Sequence, residues 1–169
     1  MNPIKIIFTY SAQNLQRANV LHYKMNYPVR GKILLWFGVL LIWTGLLFFY
    51  FNRESGNYLM SYTFLAYGAI VILLHFYIMR TLGSRLFRRH KNRVLPIDIQ
   101  IDSEKIYFSA NENQATVAWN EILKACIGTD VILLYITKMS FYIFPKENFS
   151  GNDFETFTAL VKEKVKEIK

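Results

Sequence analysis

The stretches ILLWFGVLLIWTGLLFFYF at residues 33–51 and YLMSYTFLAYGAIVILLHFYIM at residues 58–79 decide how this chain is organised. The first runs for 19 residues and the second for 22 without an Asp, Glu, Lys or Arg. A hydrocarbon core of about 30 Å takes roughly 20 helical residues at 1.5 Å each, so both are long enough to cross it. Between them Asn52-Arg53-Glu54-Ser55-Gly56-Asn57 is a polar, turn-forming hexapeptide. The pattern predicts a transmembrane helical hairpin over residues 29–81. Two buried helices of a soluble domain are the alternative, but no core of this size covers two helices that are apolar all round.

The flanks set the expected orientation. Lys24, Arg30 and Lys32 precede the first span, and Arg80, Arg85, Arg88, Arg89, Lys91 and Arg93 follow the second, while the turn nets zero. Lys and Arg accumulate on the cytoplasmic side, so both termini are expected inside and the turn outside. Trp36 and Tyr77 fall toward the inner interface, Tyr50 and Tyr58 toward the outer. The first residues show no charged start running into an apolar stretch and a cleavage site, so a removed signal peptide is not expected.

Gly38 and Gly45 recur at a seven-residue interval on the first helix, after Gly31, and Gly68 offers a small surface on the second with Ala66 and Ala69. Small residues let membrane helices approach closely. Packing within the hairpin is the favoured use, with a dimerisation face as the other. His75 is the one side chain within a span that titrates near neutral pH. Its place within two turns of Arg80, near the interface, argues for an ordinary role rather than a proton site.

Charge divides the 169-residue chain. Residues 1–93 hold 12 Lys/Arg and one acid, Glu54, for +11, and residues 94–169 hold 8 Lys/Arg and 11 Asp/Glu, for −3. The basic excess therefore lies at the hairpin flanks. A nucleic-acid binder carries it on the face of its domain, and none is expected here. Arg80, Arg85, Arg88, Arg89, Lys91 and Arg93 are candidate contacts for anionic lipid headgroups of the inner leaflet, at about 1 kcal/mol each. Residues 82–93 read as a basic juxtamembrane linker.

Past that stretch the period changes to two. Ile97, Ile99 and Ile101 alternate with Asp98, Gln100 and Asp102, and Ile106, Phe108 and Ala110 alternate with Tyr107 and Ser109. Ala115, Val117 and Trp119 continue the alternation; Leu123–Ile127, Val131–Ile136 and Phe141–Phe144 complete six short strands ended by Pro145. A final helix is expected with Ser150 or Asn152 as cap, Asp153 or Glu155 completing a capping box, and Phe154, Phe157, Val161, Val165 and Ile168 on one stripe. At the other end, Ile4–Tyr10 reads as a strand, and Ser11 caps a helix to about Met25 with Leu15, Ala18, Leu21 and Met25 inward. A lone strand and helix are not stable, so residues 1–28 are expected to pack with the domain at 94–169. The fold class is a membrane helical hairpin plus a cytoplasmic α+β domain, an antiparallel pleckstrin-homology-like sheet of six or seven strands with a C-terminal helix.

The segments Trp119-Asn120-Glu121-Ile122, Leu134-Tyr135-Ile136 and Ile143-Phe144-Pro145-Lys146-Glu147-Asn148-Phe149, following two adjacent spans, resemble bacterial YcxB-like membrane proteins. Phe144 departs from the aliphatic residue commoner before the proline. The resemblance implies a pleckstrin-homology-like cytoplasmic domain, a bacterial inner-membrane location and no established catalytic residues. Some members look like immunity proteins encoded beside antibacterial toxins. Trp119, Pro145 and Phe149 carry over as structural positions.

No catalytic constellation is legible. Cys126 lies in a strand pattern without a neighbouring His and reads as a packed thiol; with a single cysteine no internal disulfide can form. His22, His75 and His90 are scattered, no set has metal-ligand spacing, and no Gly-rich phosphate loop occurs. No enzyme, metal or cofactor is expected. The expected function is a non-catalytic inner-membrane protein whose cytoplasmic domain binds a protein partner. The alternatives are an immunity protein neutralising a toxin and a small transporter or channel accessory. Nothing in the sequence sets the oligomeric state.

Overall fold

The computed structural model describes residues 3–90, 95–111 and 113–169. The chain forms strand β1 (Ile4–Phe8), helices α1 (Ala12–Asn26), α2 (Arg30–Phe51) and α3 (Leu59–His90), then six strands. These are β2 (Ile97–Ile101), β3 (Lys105–Ala110), β4 (Asn113–Ala118), β5 (Lys124–Ile127), β6 (Val131–Tyr135) and β7 (Phe141–Pro145). Helix α4 (Asp153–Lys164) follows. Two compact units result, Met1–Met25 with Gly83–Lys169, and Asn26–Leu82.

In the second unit, α2 and α3 are long and apolar enough to cross a membrane, and only 11% and 6% of their most apolar windows is buried. A core helix of a soluble protein would be mostly buried. The glycines sit where the two backbones meet. A Cβ on Gly38 would lie 3.1 Å from the Gly68 carbonyl oxygen, and one on Gly68 would lie 2.9 Å from that of Gly38. Gly45 lies against Leu65 in the same way.

Helix α3 does not stop at the expected end of the span. It runs on through the basic stretch to His90, so what reads as a linker from residue 82 is helical. Arg, Leu and Phe all tolerate a helix, and its one glycine, Gly83, packs its backbone against α1. A Cβ there would meet Gln16 and the Ala12 carbonyl oxygen at 2.5–2.6 Å, and the Gly83 N–H donates to the Gln16 Oε1.

In the first unit the seven strands form two antiparallel sheets, β1-β2-β3-β4 and β5-β6-β7, rather than one. Strand β1 pairs with β2, Ile4 opposite Ile101 and Phe8 opposite Ile97. The alternation of β1 to β3 is that of a half-buried sheet: Ile4, Ile6, Phe8, Ile99, Ile101, Ile106 and Phe108 face in. Trp119 leaves the strand pattern and opens a 3-10 turn, Trp119–Glu121, with its ring still buried.

Strand β6 is buried at all five positions, because the three-stranded sheet is covered on both faces. Phe144 of β7 packs on Phe157 of α4 with centroids 4.9 Å apart, and Tyr142 stacks on Phe108 of β3 at 4.4 Å. From the opposite face Tyr135 meets His22 of α1, while Leu21 closes over Gly128. Ser11 caps α1 as expected, its Oγ accepting the Asn14 N–H at 3.0 Å.

The C-terminal segment departs from the expected long stripe. Asn152 makes no side-chain cap bond, and Ser150 reaches the first turn through its carbonyl oxygen, which accepts the Asp153 N–H at 2.9 Å. Gly151 sits at φ 52°, a left-handed turn that glycine adopts without cost. Helix α4 ends at Lys164 because Val165 is extended, and the last residues pair with β5. Ala125 N–H donates to Glu167 O, Lys169 N–H to Ala125 O and Ile127 N–H to Lys169 O, all at 2.9–3.0 Å.

Candidate functional site

Of the basic candidates, Arg80, Arg85 and Arg88 are exposed on α3. Arg85 and Arg88 stand at i and i+3 and share one helical stripe, from which Arg80 is rotated away, and Arg89 continues the helix. Lys91 and Arg93 lie outside the described residues. The motif positions are packed: Trp119 and Pro145 are buried, and Phe149 stacks on Phe157 at 5.3 Å. The Trp119 Nε1–H donates to the Asp102 carbonyl oxygen at 2.9 Å, tying the β2–β3 turn to the 3-10 turn. Cys126 is wholly buried.

His22 is the titratable side chain that the sequence undersold. It lies 5% exposed on the inward stripe of α1, with Nδ1 2.7 Å from Tyr135 Oη and its ring stacked on Phe141 at 5.2 Å. Burial, and then the nearby Lys124 ammonium, hold its pKa below the usual imidazole value. The Lys124 Nζ sits 4.6 Å from the centre of the Tyr135 ring, a cation–π arrangement. His, Tyr and Lys here close the α1 interface. The only advance signal was position: His22 follows Leu21 and stands four residues after Ala18.

Since α1 covers one sheet, the open surface belongs to the other. Two rows cross its outer face, Lys5–Gln100–Tyr107–Thr116 and Ile7–Asp98–Ser109–Gln114, each set by strand register. They line a shallow groove of about 700 Å³ in which Ile7 is 64% and Tyr107 41% exposed. This surface is neutral on balance and able to give and accept hydrogen bonds around two apolar side chains. Behind it, a smaller cleft of about 190 Å³ enters the core from the β4 side, floored by Ile99, Phe108, Tyr142 and Ile143. Burial raises the pKa of Tyr10, which lines the same cleft, and the neighbouring Tyr142 raises it further.

Among the described residues no three His, Cys, Asp or Glu side chains gather as a metal site. In the groove, strand register sets Asp98 opposite Ser109 and Gln100 opposite Tyr107.

Residues 101–161 match the family model of YcxB-like proteins. With the two apolar helices, this supports a YcxB-like protein with a membrane hairpin, and bears out the resemblance read from the sequence. No curated protein and no solved structure matches the chain.

Proposed function

We propose that this chain is a non-catalytic protein of the bacterial inner membrane whose cytoplasmic, pleckstrin-homology-like domain binds a protein partner. The observation that carries the reading is the asymmetry of cover. One sheet is sheathed by α1, while the other leaves an eight-residue, mostly polar face, on which Ile7 and Tyr107 are exposed, open to a partner. A four-stranded meander, a three-stranded meander and a closing helix support the pleckstrin-homology-like description. The pairing of β1 with β2 supports termini on one side, since two crossings return the chain to the side it left. The basic flanks make that side the cytoplasm, where Arg80, Arg85 and Arg88 meet anionic lipid.

A photo-cross-linking residue at Tyr107 of the full chain, expressed in bacterial membranes, tests the partner. A discrete protein adduct is expected there and not from Glu163, on the far side of α4. No adduct from Tyr107, or equal adducts from both positions, would defeat the reading. A reporter at Gly56 tests the topology and should read as external.

A further inference from the structure

Strand β4 ends the four-stranded sheet, and among the described residues no strand pairs with its outer edge. In an antiparallel pair, alternate residues turn both N–H and C=O away from the partner strand. Ala118 is one of them, for its N–H donates to the Glu121 carboxylate at 2.9 Å, while the next N–H, of Trp119, returns toward β3 at Glu104 O. The same parity turns the backbone of Thr116 and Gln114 outward. Edges are ordinarily guarded by charge or proline, yet Asn113-Gln114-Ala115-Thr116-Val117-Ala118 has neither. The contrast with β5 is direct, because there the chain closes the edge with its own residues 167–169.

The same strand borders the apolar cleft. Asn113 and Ala115 lie on the core face, opposite Ala110 and Phe108, and are nevertheless exposed, because the cleft opens beside them. Its volume of about 190 Å³ exceeds the roughly 150 Å³ of an apolar cavity that admits benzene. Helix α4 contributes nothing to its lining.

We propose that the free edge of β4 takes up an extended segment of the protein partner by strand addition, with one bulky aliphatic side chain of that segment seated in the cleft. The assignment rests on the partner-binding reading and names its mode. Main-chain hydrogen bonds to Gln114 and Thr116 give affinity, and the cleft gives selectivity. A second copy of the chain is the poorer occupant. Paired on itself, β4 would offer the cleft only the core-face side chains Asn113, Ala115 and Val117, all smaller than a leucine. The Glu121 carboxylate, which accepts the Ala118 N–H at one end of this edge, favours a segment flanked by lysines.

The test uses the full chain in lipid nanodiscs and a synthetic probe, a Lys-flanked alternating Thr/Val peptide with one central Leu, beside its Ala counterpart. The Leu peptide should bind about tenfold or more tightly than the Ala peptide, slowing amide exchange at Gln114 and Thr116. Thr116→Pro removes an outward N–H and leaves the β3 ladder intact, which an edge strand tolerates. It should weaken binding at least about tenfold without moving the thermal midpoint. Ala115→Leu fills the cleft from within and should erase the preference for Leu, an independent reading if the proline variant folds poorly.

Equal affinity for the two peptides, binding unaffected by Thr116→Pro, or no binding of either would overturn the proposal. So would a dimer of the parent chain that Thr116→Pro dissociates, which would make the second copy the occupant. Retention of the Tyr107 adduct by Thr116→Pro would overturn the edge assignment alone, whereas absence of that adduct in the parent chain would fell the partner reading first.

Discussion

Replacing Trp119 by Phe isolates one hydrogen bond in an otherwise apolar site. Trp119 is 5% exposed, its indole N–H donates to the Asp102 carbonyl oxygen at 2.9 Å, and its ring lies 6.4 Å from that of Phe157. Phe keeps an aromatic ring near α4 but removes the donor and leaves a buried-side carbonyl without that partner. A net hydrogen bond contributes about 1 kcal/mol and an orphaned acceptor costs about 1–3 kcal/mol, so a loss of about 1.5 kcal/mol is expected. Ala also deletes the ring, and large-to-small changes of this kind cost about 3–5 kcal/mol. Amide exchange of the β6 strand in the full chain in detergent reports the sheet domain without requiring the hairpin to unfold. Protection of β6 should fall about tenfold in Trp119→Phe and at least about a hundredfold in Trp119→Ala, taking about 1.4 kcal/mol per factor of ten. The midpoint of thermal unfolding should drop by about 6–12 °C in the Phe variant. A Phe variant as protected as the parent would refute the assignment of the bond. An Ala variant no worse than Phe would refute the packing. A corollary concerns function: loss of activity in Trp119→Ala reports unfolding, so probes of binding belong on Tyr107 and Ile7.

Gly68→Leu drives a side chain into the Gly38 carbonyl and Ile42 and should destabilise the hairpin by about 1–3 kcal/mol; unchanged resistance to unfolding in mixed micelles would contradict the close crossing. His22 gives a signed pH dependence. With its folded pKa below the ordinary 6.5, the stabilisation is complete above pH 6.5 and is lost as the pH falls through 6.5 toward the folded pKa. Denaturant midpoints should follow that slope, and His22→Phe should flatten it. Deleting residues 167–169 removes the three backbone bonds to β5, for about 2–4 kcal/mol; intact exchange protection at Ala125 and Ile127 after the deletion would show that the tail does not guard that edge.

The features readable in advance were those written in local periodicity. Nineteen uncharged residues and then twenty-two announce a hairpin, alternating Ile97, Ile99 and Ile101 announce a strand, and Ser11 before an apolar stripe announces a capped helix. The division of seven strands into two sheets was not local, since it depends on the chain turning at Trp119–Glu121 rather than continuing as a strand. Helix α3 outran its apolar segment because nothing between Met79 and His90 breaks a helix, and hydropathy reports solvent rather than backbone. Of the candidate site, the arginines and glycines were visible by composition. The bare edge of β4 was not, because an edge is defined by what fails to pair with it. His22 was passed over for a related reason: its partner Tyr135 lies 113 residues away.

The membrane hairpin stands between β1 and the strand it pairs with. During synthesis, β1 and α1 leave the ribosome first and wait, unpaired, until both spans and β2 have followed, about 5–20 s at ordinary rates of translation. Closure of the sheet therefore cannot precede synthesis of the hairpin. The order of the segments makes a finished sheet a sign that the whole hairpin has been synthesised.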